Sequence, residues 1–140
     1  MVSRDAPLRV LHVSTWGIPC GIATYAGNLV AALERRGMAR EVFALEPHAW
    51  AHYLPADVKR LRAEIVERVR GVDLVHIQHE HGLFGVAQGS RSSSRNYGRI
   101  LGDILRAGTP VVTTFHTAPL GHRRRRGIAG MFEAIKGLGK

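Results

Sequence analysis

The side chains best suited to chemistry in this sequence are His76, His79, Glu80 and His81, crowded into one short stretch, and His116, which closes the apolar run VVTTF. An imidazole at the end of a strand can serve as a general base, a hydrogen-bond donor or a metal ligand. The spacing H-x-x-H-E-H first suggests a metal. Extended geometry weighs against it. Positions 76 and 79 are an odd number apart and face opposite ways in a strand, and Glu80 does not easily join the face that His79 and His81 share. No cysteine partner and no H-E-x-x-H helix completes a ligand set, so no metal is expected. His76 reads as a core or interface histidine. His116 reads as functional, because it closes the apolar strand VVTTF at the ligand-binding edge.

A second candidate lies near the amino terminus. In RVLHVSTWGIPCGIATYAGNLVAAL, Val10, Leu11 and Val13 form a buried strand, and Ile22, Tyr25, Ala26, Leu29, Val30 and Leu33 recur with helical spacing. Between them is a loop with Gly17, Pro19, Cys20 and Gly21. Glycines there let a ligand approach the backbone, and the helix start offers unpaired N–H groups to an anion. The loop is not G-x-x-x-x-G-K-[ST], which excludes a P-loop. Nor is it G-x-G-x-x-G, which leaves Glu46, at the end of the next strand, a weak mimic of a ribose-binding acid. No triad surrounds Cys20, so it reads as a small filler residue.

The elements that must position these residues follow in order. Strands are expected at Leu8–Ser14, Glu41–Glu46, Asp73–Gln78 and Pro110–Phe115, with helices at Ile22–Arg36, Asp57–Arg70 and Asn96–Ala107. Gly37, Gly71 and Gly108 stop the helices. Residues 47–55 form a loop bearing His48, Trp50, His52 and Tyr53, and Ser90–Ser94 looks flexible. Ile128, Phe132, Ile135 and Leu138 suggest one more amphipathic helix. The β-α-β-α-β-α-β rhythm predicts an α/β fold: a Rossmann-like parallel β-sheet with helices on both faces, in a single partial domain spanning 1–140. Parallel topology then brings three loops, Thr15–Ile22, His79–Gly85 and His116–Leu120, to one edge of the sheet.

Of the net charge of +9, almost none arises in residues 1–90, which carry ten Lys and Arg against nine Asp and Glu. Residues 91–140 carry ten against two, Asp103 and Glu133. The run Arg123, Arg124, Arg125 and Arg126 therefore suits an anionic membrane surface or a phosphorylated ligand, or is simply a solvated face. The basic segment has few aromatics beyond Tyr97 and Phe115, so nucleic acid is not an expected partner. A single cysteine fits a reducing compartment, and neither a signal peptide nor a membrane span is evident. The chain reads as cytoplasmic, with peripheral attachment to the inner membrane face open through the arginine run.

The segments GIPCGIATYAGNLVAAL, DLVHIQHEHGLFG and PVVTTFHT, in this order and spacing, resemble the N-terminal domain of the retaining glycosyltransferases of the GT-B fold (glycosyltransferase group 1 / family 4), over roughly residues 8–120. That resemblance implies an acceptor-side domain of an enzyme that transfers a hexose from a nucleotide diphosphate sugar to a sugar or lipid-linked acceptor, without metal or other cofactor. It implies that Gly17, Gly21 and Ile22 lie near the donor phosphates and transferred sugar. The loop QHEHG, residues 78–82, with His79, Glu80 and His81, would line the acceptor side, and His116, with Thr117 beside it, would contact the sugar at the reaction centre. In the family a second Rossmann-like domain holds most of the donor. It is absent from these residues, so this chain alone is expected to be inactive. The alternative expectation is a stand-alone binding module for a phosphorylated ligand or an anionic membrane surface.

Overall fold

The computed structural model describes residues 6–46, 55–80, 82–85 and 90–117, with the side chains of the last segment described from Ser93 onward. His81, most of the aromatic loop at 47–55, Arg123–Arg126 and the amphipathic tail lie outside the described residues.

Among the described residues four strands, β1 (Arg9–Thr15), β2 (Ala39–Leu45), β3 (Leu74–His79) and β4 (Val111–Phe115), alternate with three helices, α1 (Gly21–Glu34), α2 (Pro55–Val69) and α3 (Ser90–Arg106). All strand pairs are parallel, in the order β2-β1-β3-β4. The chain steps one way from β1 to β2 and the other way from β2 to β3 and on to β4. Right-handed crossovers then put α1 on one face and α2 and α3 on the other, as the alternation of elements implied.

The two faces differ in chemistry. Odd-numbered Leu11, Val13, Val75 and Ile77 pack with Leu61, Ile65 and Val69 of α2 and with Tyr97, Ile100 and Ile104 of α3 in one apolar core. Even-numbered positions carry a polar row, in which His12, Ser14, His76 and Gln78 are all buried. Register places His12 beside His76 and Gln78 beside Thr114, so the row crosses β1, β3 and β4.

Three local expectations change. α3 begins at Ser90, so Ser90–Ser94 is helical. Serine is only mildly disfavoured in helices, and Ser93 is buried on the inner face, so packing overrides propensity. Leu105, expected to point inward, is 46% exposed, because the packed stripe is Tyr97, Ile100 and Ile104. Tyr25 is 44% exposed, because the buried stripe of α1 is Ile22, Ala23, Ala26 and Val30. Among the described residues no helix is long and apolar enough to cross a membrane.

Candidate functional site

The strand order reverses between β1 and β3, so the loops that follow them diverge and leave a crevice at the carboxyl ends of the strands. A cavity of about 480 Å³ occupies that position, lined by Thr15, Cys20, Gly21, Ile22, Glu80, Leu83 and His116. This volume falls in the range of small-molecule sites. A second cavity, of about 500 Å³, lies between β2 and α2 around Glu41, Phe43 and Arg68, and is lined by none of the candidate substrate-binding residues.

The loop after β1 supplies the first wall. Gly17 has φ +67, a left-handed conformation that penalises any side chain. Gly21 has no such requirement, and a Cβ there would meet nothing within 4 Å. Gly17 thus shapes the loop, whereas Gly21 borders the cavity. Between them, Cys20 caps α1 in extended conformation, its Sγ accepting from the Ala23 N–H at 3.3 Å and lying 3.4 Å from Thr15 Oγ1. Burial pushes the thiol upward, but hydrogen bonds from Thr15 and from the Ala23 and Ile22 amides prevail and hold it below the usual range. Cys20 is therefore a cavity-lining cap rather than mere filler.

The second and third walls come from β3 and β4. Glu80 lines the cavity, with Thr117 Oγ1 at 3.5 Å from its carboxylate. His79 does not line it. Its ring stacks on Phe84 at 5.7 Å and meets Tyr97 at 4.5 Å and Phe115 at 4.9 Å, in an aromatic cluster on the α3 side. Strand alternation causes this: His76 and His79 face opposite ways, as their odd spacing required. Among the described residues no group of His, Cys, Asp and Glu gathers at metal-ligand spacing.

His116 is the best-anchored cavity residue. Its backbone N–H continues the ladder to the His79 carbonyl at 2.9 Å. Its Nε2 lies 2.6 Å from Gln78 Oε1, and the Tyr25 ring meets it edge-on at 5.1 Å and 84°. Behind it runs the buried polar row. Gln78 Nε2 is 3.4 Å from His76 Nε2, Thr114 Oγ1 is 2.9 Å from the same atom, and His76 Nδ1 is 3.3 Å from His12 Nδ1. Burial, reinforced by the neighbouring His76, pushes His12 down to about 4. Burial and the charge of His116 lower His76 as well. Both inner imidazoles are therefore neutral at neutral pH.

Of the residues expected to bind substrate, Gly21, Ile22, Glu80 and His116 meet at one cavity and Thr117 adjoins it through Glu80. Gly17 stands back in the loop, and His79 faces away. Residue-by-residue reading missed Thr15, Leu83 and Tyr25, and it missed the role of Gln78. The signal available was the even spacing of His12, His76, Gln78, Thr114 and His116, which means little until parallel register aligns the strands. Neither a family model nor a curated protein matches this chain.

Proposed function

We propose that this chain is the acceptor-side domain of a retaining glycosyltransferase, which transfers a hexose from a nucleotide diphosphate sugar to an acceptor hydroxyl. One observation carries the reading. The three segments that resemble that family supply all but one of the residues lining the switch-point cavity: Cys20, Gly21 and Ile22 from the first, Glu80 and Leu83 from the second, His116 from the third, with Thr15 at the end of β1 just before the first. In this reading the amino end of α1 faces the donor phosphates, and His116 contacts the transferred sugar. Glu80 and Thr117 face the acceptor. The described cavity residues include no Lys or Arg, so charge stabilisation of the departing diphosphate must come from an opposing wall, and a one-walled site leaves the helix dipole screened by water. A single free cysteine suits a reducing compartment, and a cytoplasmic location is part of the proposal.

The test is product formation from UDP-glucose or GDP-mannose with the chain alone and with the chain joined to a matching donor domain. We expect no transfer above background from residues 1–140 and transfer by the joined protein. His116→Ala in the joined protein should cut turnover more than acceptor binding, because interactions selective for the transition state act on turnover. Robust transfer by the chain alone, or full activity of the His116→Ala protein, refutes the assignment.

A further inference from the structure

We infer that Gln78 is a positioning residue for His116, fixing its proton on Nε2 and presenting Nδ1 to the crevice as a hydrogen-bond acceptor. Gln78 is 1% exposed on the central strand β3, and its carboxamide oxygen lies 2.6 Å from His116 Nε2. A carboxamide oxygen can only accept, so Nε2 donates, and a ring that carries its one proton there keeps its lone pair on Nδ1.

The amide of Gln78 is itself oriented from behind. Its NH2 group turns inward to His76 Nε2, whose one lone pair then accepts from both the amide and the Thr114 hydroxyl. With Nε2 accepting, His76 carries its proton on Nδ1 and donates it to His12 Nδ1. His12, His76 and Gln78 are buried, so reversing one amide or one tautomer breaks the partners on both sides. Tyr25 of α1 closes the arrangement by fixing the plane of the His116 ring from the other side of the crevice. The ring is thus held by β3 through a hydrogen bond and by α1 through an aromatic edge.

The consequence is selectivity for a donor. An imidazole with its proton on Nε2 accepts a hydrogen bond from a hydroxyl at Nδ1 and offers no donor there to a carbonyl or phosphate oxygen. Glu80, on the same cavity, is a second acceptor, and no described cavity residue is a cation. The group seated against His116 is a ligand hydroxyl. That this hydroxyl belongs to a sugar rests on the proposed function; the state of the His116 ring does not.

Long-range 1H–15N correlation spectra of the histidine rings near neutral pH test the inference on this chain without any ligand. The parent should show His116 with a protonated Nε2, a bare Nδ1 and a ring proton slow to exchange. Gln78→Glu retains an acceptor oxygen for His116 but loses the NH2 donor to His76, so His116 Nε2 should stay protonated while the His76 proton moves to Nε2. Gln78→Met, of similar shape without the acceptor, should mix the tautomers and speed ring-proton exchange roughly tenfold, the scale of one buried hydrogen bond. A proton on Nδ1 in the parent, or an unchanged His116 signature in a folded Gln78→Met protein, overturns the inference. If Gln78→Met does not fold, the parent and Gln78→Glu spectra still decide it.

Discussion

Acid should weaken this fold through His12. In the native state burial, with His76 3.3 Å away, pushes His12 from the ordinary 6.5 to about 4. The unfolded chain takes up the proton first as pH falls, so the stabilisation is complete above the unfolded value and is lost between about pH 6.5 and pH 4. For a single group the loss is about 2 kcal/mol at pH 5 and about 3 kcal/mol at pH 4. That is a large share of the stability of one domain, and it lowers the melting temperature by about 2–4 °C per kcal/mol. His76 is lowered too and acts in the same direction. The assay is urea unfolding at a series of pH values for the parent and for His12→Asn, whose side-chain oxygen can replace His12 Nδ1 as the acceptor from His76. The variant should be less stable at neutral pH, because the smaller side chain leaves a cavity. Its stability should nevertheless fall less steeply in the acid window. Parallel pH profiles for the two proteins, with equal denaturant slopes, would refute the argument, as would a parent that gains stability on acidification.

The two loop glycines should separate shape from function. Gly17→Ala forces a side chain into φ +67 and should cost about 1 kcal/mol in thermal or chemical unfolding, whereas Gly21→Ala should leave stability nearly unchanged and weaken nucleotide-sugar binding by calorimetry. Equal stability losses for both would contradict the assignment. Asp103, whose side chain is 11% exposed, receives Arg62 from α2 and Arg106 from α3, and these bonds hold its carboxyl low despite burial, which acts upward. Asp103→Asn should therefore cost about 2 kcal/mol near neutral pH. The stabilisation is present above the usual carboxylate range and vanishes in stronger acid than the His12 window, so a variant as stable as the parent at pH 7 would count against it. For Cys20, alkylation by iodoacetamide should have a pH midpoint below that of a free thiol, and Thr15→Val should raise it. An unmoved midpoint in Thr15→Val would remove Thr15 as the cause.

Much of the architecture is legible in the residues alone. The period of Val58, Leu61, Ile65 and Val69 specifies one face of α2, and the run Val111–Phe115 specifies a strand, because local sterics and burial set those periods. The β-α alternation then leaves a parallel sheet with right-handed crossovers as the economical solution, and that sheet carries the loops after β1, β3 and β4 to one edge. The odd spacing of His76 and His79 already separated them, since alternation is a property of the backbone. What no local pattern contains is register and facing. Whether α1 buries Tyr25 or turns it toward His116 depends on which side of the sheet the helix lies. That Ser90 opens a helix depends on the pocket that receives Ser93 and Tyr97. Gln78, unremarkable in DLVHIQHEHGLFG, meets His116 only because β3 and β4 align Gln78 with Thr114, two positions before His116. His12 and His76, sixty-four residues apart, become a pair only when β1 and β3 lie side by side. Hydrogen bonds and pKa shifts depend on distances between side chains, and tertiary structure sets those distances.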